Sequence, residues 1–325
     1  MLSLRSRFRG ALLGGFVGDA LGRPFEGSTA SDARLATEPR ARAAGADTWL
    51  YTDDTEMTIG VAESIVRRGA LDAEDLLATL AREHEPARGY GKGMRMIFDA
   101  VAGGTSARRA AFVPWKEGSR GNGAAARVAP VACLHHEDPA ALEAVAEESA
   151  GITHAHPIGR AGCVLQAIAL GQALTLHAPG KLDGEAFLSS LSTRIAPRSP
   201  ALASKLLQAA TLLAGPWSPR TVAAALGNGV VADESVPLAI FAFAAWFPSF
   251  DEVVLRAIEC GGDTDTIGAM SGALAGAALG EEGIPAPWIE NLENGRRGRD
   301  HVIALADEIH RLRGTRRPDR LKYHA

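Results

Sequence analysis

The stretch Thr266-Ile-Gly-Ala-Met-Ser-Gly-Ala-Leu-Ala-Gly-Ala-Ala-Leu-Gly280 decides how the rest of the chain is read. Gly268, Gly272 and Gly276 recur every fourth residue, which places them on one face of an α-helix. Each glycine inside a helix costs about 1 kcal/mol relative to alanine. Close approach of another helix in a crowded core offsets that cost, so the pattern predicts a central helix enclosed by its neighbours. Small residues at this spacing also mediate packing in membranes. The stretch is shorter than the ~20 apolar residues of a membrane span, however, and acids flank it.

Outward from this segment the helical period dominates. Apolar positions recur every three or four residues at 58–66, 71–80, 94–101, 140–146, 162–176, 201–213, 221–226, 236–247 and 302–312. Alternating strand patterns rich in Val, Thr and Tyr are scarce, and Gly and Pro divide the chain into helix-sized pieces. The expectation is an all-α protein of ten to fifteen helices, forming a single domain over 1–325. The basic stretch 313–320 is expected to be a solvated terminus.

The 325 residues include 34 basic and 38 acidic side chains, a formal net charge of −4. That balance argues against a general nucleic-acid binder, which displaces counterions with net basic surface. The hydrophobic share of 46% is too high for a disordered chain. Cys133, Cys163 and Cys260 are far apart and form no CxxC pair, so neither a disulfide framework nor a thiolate zinc site is expected. Residues 1–18 run from arginines into an apolar stretch, but Asp19 interrupts it and no cleavage pattern follows. The reading is a cytoplasmic protein.

Two acidic segments stand at helix starts. One is Tyr51-Thr-Asp-Asp-Thr-Glu-Met-Thr58, and the other is Gly261-Gly-Asp-Thr-Asp-Thr266, which leads into the small-residue helix. Either alone reads as helix capping. Two alike change the balance, since capping needs one oxygen and crowded carboxylates repel unless cations neutralise them. Oxygen donors without His or Cys suit Mg²⁺, Mn²⁺ or Ca²⁺ rather than Zn²⁺. The stretch Gly14 to Gly27 contains glycines without a dinucleotide fingerprint. It reads as a small-faced helix ending near Gly22, with Glu26 on the following loop. The stretch Glu117 to Ala125 reads as a turn, or as backbone N–H groups facing an anion.

Taken together, these pieces resemble the ADP-ribosylglycohydrolase family. The matching residues are Gly18-Asp-Ala-Leu-Gly22 with Glu26, Thr52-Asp-Asp-Thr55, Gly121-Asn-Gly-Ala-Ala125, Thr153-His154 and Gly261-Gly-Asp-Thr-Asp-Thr266. Arg88-Gly-Tyr-Gly91 and Glu234-Ser-Val-Pro237 are similar to the branch that acts on serine-linked ADP-ribose and poly(ADP-ribose). The resemblance implies an all-α fold with a dinuclear cleft holding two Mg²⁺ or Mn²⁺. Thr52, Asp53, Asp54, Asp263, Asp265 and Thr266 would be metal ligands. Glu26, Asp54 and Asp263 would be catalytic, Glu26 being a mobile acid at the reaction centre. Gly118, Ser119, Arg120, Gly121, Asn122 and Gly123 would hold the diphosphate side of the substrate, with His154 and Tyr90 lining the pocket. His156 is read as a loop residue and not as a ligand.

The implied reaction is hydrolysis at C1″ of ADP-ribose through an oxocarbenium-like transition state. The partner would be an ADP-ribosylated protein or ADP-ribose conjugate, with no nucleic acid and no membrane involved, and a monomer is expected. Arg120 stands where the serine-specific branch has an aromatic against adenine, with Trp115 close by in sequence, so the acceptor linkage stays open. Serine, arginine, poly(ADP-ribose) and O-acetyl-ADP-ribose all remain. A non-catalytic, crystallin-like relative would be expected to lose the acids, and all are present here. A His-Asp phosphohydrolase is disfavoured because the chain contains no His-Asp dipeptide.

Overall fold

The computed structural model describes residues 2–176 and 181–315. Among these there are eighteen α-helical segments and no strand, only the isolated bridges Trp49–Leu292 and Gly121–Val231. The all-α expectation therefore holds. The helix number exceeds the expected ten to fifteen because four segments have six residues or fewer. So short a turn carries no readable period. The last helix runs to Thr315, where Arg313 pairs with Glu137 and Gly314 and Thr315 are exposed. Residues 316–320 of that expected terminus lie outside the described residues.

Eight helices position the site: α1 (Leu4–Gly22), α2 (Asp53–Arg68), α3 (Lys92–Ala102), α4 (Pro157–Leu174), α5 (Ala232–Trp246), α6 (Phe250–Glu259), α7 (Thr264–Leu279) and α8 (Arg299–Thr315). Helix α7 is the small-residue segment, and every residue from Thr264 to Ala278 is buried. It packs against α1, α2, α4, α5 and α6.

Its partner on the glycine face is α1, running antiparallel. Gly10 faces Gly276, Gly14 faces Gly272, Gly18 faces Gly268, and Gly22 faces Thr264. A Cβ at any of these seven glycines would overlap the carbonyl oxygen of the residue opposite. The two backbones are thus in direct contact, and dispersion between them replaces what side chains would supply. Because the pairing is antiparallel, the C-terminus of α1 meets the N-terminus of α7. Thr264 Oγ1 donates to the Gly22 carbonyl at 2.9 Å and joins the two ends.

The arginines of the first turns hold the other end. Arg7 is buried and donates to the carbonyls of Ala173 (3.1 Å), Leu176 (2.6 Å) and Ala277 (3.4 Å), at the C-terminal ends of α4 and α7. A cation is favourable there because the free carbonyls carry partial negative charge. Arg5 and Arg9 pair with Asp307 of α8, and Arg9 also with Glu281. The basic and apolar opening of the sequence is therefore a core helix of this fold. No helix among the described residues is long and apolar enough to cross a membrane.

The glycine contact makes a paired prediction. Gly272→Val should lower the free energy of unfolding by about 3 kcal/mol or more, through overlap that the backbone cannot relieve. At Gly15, on the facing helix α1, an added Cβ would sit at ordinary contact distance, 3.6 Å from the nearest atom. Gly15→Ala should accordingly be neutral or stabilising by about 0.5–1 kcal/mol. Urea unfolding followed by circular dichroism measures both; equal effects would contradict the contact.

Candidate functional site

The meeting of α1 and α7 creates a corner, and α2 is anchored into it by Asp19. This carboxylate is fully buried on the last turn of α1. It accepts from the backbone N–H of Thr52 (3.1 Å), from the N–H of Thr55 (3.1 Å) and from the Thr55 hydroxyl (2.5 Å). The first turn of α2 is thus capped by an acid from another helix, while Thr52 Oγ1 caps Asp54 N–H locally at 3.3 Å. Asp19 carried no assigned role at the sequence level. Its signal was a lone carboxylate inside an apolar, glycine-spaced helix.

The second acidic segment is fixed by its backbone. Gly261 and Gly262 have φ of 66° and 78°, a region that glycine enters without steric penalty. Gly262 N–H donates to the Ser28 carbonyl at 2.7 Å, and Gly27 N–H donates to the Gly262 carbonyl at 2.8 Å. The loop carrying Glu26 is thereby stitched beside Asp263. Asp263 N–H in turn donates to the Asn228 carbonyl at 2.8 Å. One carboxylate oxygen each from Glu26, Asp263 and Asp265 lies within 4.8 Å of the other two. Asp53 and Asp54 stand outside that set. Thr266 bridges the segments, its hydroxyl lying 2.7 Å from Asp54 Oδ2 and 3.2 Å from Asp263 Oδ1.

The charges acting most strongly on these acids come from one another. Burial first, then Asp19, Asp263 and Glu26, push the Asp53 carboxyl up to about 7. Burial also raises Asp19 to about 6, against hydrogen bonds from Thr55 and Thr52 that pull it down. Asp54 and Asp265 lie well above the usual carboxylate range, through burial and then their neighbouring acids. Glu26 is exposed at the mouth and is raised by partial burial and by Asp263. A buried, oxygen-only, mutually repelling set of this kind fits hard divalent cations.

The acids floor a cavity of about 270 Å³. Ser119, Gly121 and Gly123 line one wall, with His154 behind the glycines. Met57, Met94, Ile97 and Trp115 supply an apolar side. Thr52, Asp53, Asp54, Asp263, Asp265, Thr266, Glu26 and His154 therefore all line one cavity. Three expected substrate contacts do not reach it. Tyr90 is buried behind the wall, its hydroxyl donating to Glu56 Oε2 at 2.7 Å and its ring against Phe98. Its apolar surroundings hold it there, while Gly89 and Gly91 on either side line the cavity. Gly118 and Arg120 belong to an adjoining open depression, where exposed Arg120 pairs with Asp233 at 3.5 Å.

Asn122 lines the cavity, but its amide N–H groups are engaged. They donate to Asp263 Oδ2 (2.5 Å) and to Ser235 Oγ (2.9 Å), so Asn122 orients an acid instead of offering its N–H groups to a phosphate. His156 caps α4, accepting from Ile158 N–H at 3.1 Å, in keeping with its reading as a loop residue. Trp115 and Val230, 49% and 62% exposed, flank the passage from the cavity into the depression.

A family model described as ADP-ribosylglycohydrolase matches residues 1–319. ADP-ribosylhydrolase ARH3 of Mus musculus is 32% identical over 346 residues, covering 94% of this chain and 92% of that protein. The ADP-ribosyl-[dinitrogen reductase] glycohydrolase of Rhodospirillum rubrum is 29% identical, covering 94% of this chain and 98% of its own length. A solved structure titled ADP-ribosylglycohydrolase-related protein complex superposes with a TM-score of 0.75 at 28% identity, over 95% of this chain and 99% of that one.

The raised acids give a pH dependence with a definite sign. For a carboxyl whose folded pKa exceeds its unfolded value, the folded state binds more protons, so stability falls as pH rises. With EDTA present, stability should fall as pH rises from about 4, the ordinary carboxylate value, to about 6 to 7, the positions of Asp19 and Asp53, and level off above. Asp53→Asn should flatten this slope, and saturating Mg²⁺ should remove most of it. Thermal melts across pH 5–8 measure the effect.

Proposed function

Because this chain belongs to the ADP-ribosylglycohydrolase family, we propose that it is a divalent-metal-dependent hydrolase that cleaves the C1″ glycosidic bond of ADP-ribosylated protein and releases ADP-ribose. The observation that carries this reading is the convergence of Asp53, Asp54, Asp263, Asp265 and Glu26 in the lining of one cavity, which Ser119, Gly121, Gly123 and His154 also line.

Thr52, Asp53, Asp54, Asp263, Asp265 and Thr266 would hold two Mg²⁺ or Mn²⁺. Bound there, the ions would orient the ribose hydroxyls and offset the mutual repulsion of the acids. The residues of the chain have three further tasks. The carboxylates place negative potential where C1″ gains positive charge in the oxocarbenium-like transition state. Glu26, at the mouth and beside Asp263, is positioned to take a proton from the attacking water. Asp19 and Asn122 hold Thr52, Thr55 and Asp263 in place, so the acids need not reorganise during the reaction.

The diphosphate would lie along Ser119, Gly121 and Gly123, next to His154. Adenine would lie towards Trp115 and Arg120, because the cavity opens into the depression on that side. Both aromatic and guanidinium planes can stack on a base. The acceptor would be serine-, arginine- or poly-linked ADP-ribose, with a small conjugate such as O-acetyl-ADP-ribose as the alternative. The retained acids speak against a non-catalytic binding protein. The reading includes a single domain over 1–325, a monomer and a cytoplasmic setting, the last supported by three buried, unpaired cysteines.

Asp263→Asn and Asp265→Asn should each reduce turnover by about 10³-fold or more while leaving the helical spectrum unchanged. EDTA should abolish turnover, and Mg²⁺ or Mn²⁺ should restore it. A panel of serine-, arginine- and poly-linked substrates with product chromatography makes the test. Release of free ADP-ribose supports the reading, AMP as product replaces it with phosphohydrolysis, and full activity of both variants in EDTA refutes it.

A further inference from the structure

Arg127 is fully buried and has no carboxylate partner among the described residues. Its Nη2 donates to Thr153 Oγ1 at 2.7 Å and to the Ser149 carbonyl at 3.1 Å, its Nη1 faces Met57 Sδ at 3.5 Å, and its Nε has no hydrogen-bond partner among the described residues. An isolated buried cation is costly, so its retention beside the cavity calls for a physical reason.

The reason lies in the next hydrogen bond. A guanidinium can only donate, so Thr153 Oγ1 accepts from Arg127. The other partner of that hydroxyl is His154 Nδ1, at 2.8 Å. The hydroxyl proton therefore points at Nδ1; otherwise a buried O–H would lack an acceptor, a cost of about 1–3 kcal/mol. An accepting ring nitrogen carries no proton, which leaves the proton of the neutral ring on Nε2. Nε2 has no hydrogen-bond partner among the described residues, and it lies against Gly121 and Gly123 on the cavity wall.

We propose that Arg127 and Thr153 are positioning residues that lock His154 as the neutral Nε2–H tautomer, so that its ring donates one uncharged hydrogen bond to an acceptor oxygen of the substrate, on phosphate or ribose. The nature of the acceptor rests on the function proposed above, whereas the tautomer does not. Burial, and then the Arg127 charge, push the His154 imidazole down to about 3, so the ring stays neutral at working pH. Tyr90, Cys163 and Asp54 are the titratable groups around Arg127 itself. His154 supplies direction and Arg127 a permanent charge out of reach of solvent.

The test uses the full-length protein labelled with ¹⁵N-histidine, in two-bond ¹H–¹⁵N correlation spectra at pH 7.5 without ligand. His154→Gln identifies the signals. The expected pattern is a protonated Nε2 and an unprotonated Nδ1. Thr153→Val should mix the tautomers and weaken binding of ADP-ribose, measured calorimetrically with Mg²⁺, by about ten-fold. Thr153→Ser should restore both. An imidazolium or an Nδ1–H ring in the unmodified protein overturns the proposal, as does a wild-type pattern in Thr153→Val. Should Thr153→Val fail to fold, the unmodified protein and Thr153→Ser decide the matter. If the pattern is as expected but ADP-ribose does not bind, the acceptor assignment falls together with the proposed function, and the tautomer lock stands.

Discussion

The backbone contact between α1 and α7 is the constraint on which the rest of the structure depends. Seven glycines on two facing helices bring the chains close enough that no side chain fits between them. The contact sets position and direction together: each glycine meets one partner residue, and the helices run antiparallel. The C-terminus of one helix is therefore delivered to the N-terminus of the other. Everything with chemical interest gathers at that end, because Glu26 follows α1 and Asp263 and Asp265 begin α7. A slip of four residues along the glycine stripe would retain much of the packing but would separate these acids.

The site adds a second constraint of opposite sign. Packing draws the helix ends together, and electrostatics pushes their carboxylates apart. The protein accommodates this with hydrogen bonds to the acids rather than with salt bridges. Asp19 accepts from the first turn of α2, Thr266 spans Asp54 and Asp263, and Asn122 donates to Asp263. Such bonds orient the carboxylates but leave most of their charge uncompensated, which preserves a strong field in the cavity. The glycine stretch of the lining is neutral, and so is its histidine, whose charging is opposed by burial. The cavity therefore joins a cluster of acids to an uncharged stretch, suited to a ligand with both a developing cation and acceptor oxygens.

Legibility in the sequence varied with the range of the interaction. The nine apolar periodic segments each coincide with a helix of the structure to within two residues at an end, because a helix face is a local property of consecutive residues. The helix at Phe250–Glu259 was not anticipated, although its apolar face is strong, and the four-residue turns could not be. The acids at 52–54 and 263–266 were legible through their repetition at two helix starts. Asp19 was not, since its partners Thr52 and Thr55 lie more than thirty residues away. Tyr90 and Asn122 show side chains whose direction only the packing sets. Both belong to recognisable segments, yet one hydroxyl is turned to Glu56 and one amide to Asp263 and Ser235.

By itself the sequence determined the helical class, the enclosed small-residue helix, the inventory of acids and the family. Each of these depends on residue type and short spacing, which a linear string records in full. The tertiary structure alone decided that α1 is the partner of α7, that Glu26 groups with Asp263 and Asp265, and that His154 is reached from Arg127 through Thr153. These are relations between residues tens to hundreds of positions apart. They are set by which backbone surfaces can touch and by which buried donor must find an acceptor, and neither condition exists until the chain has packed.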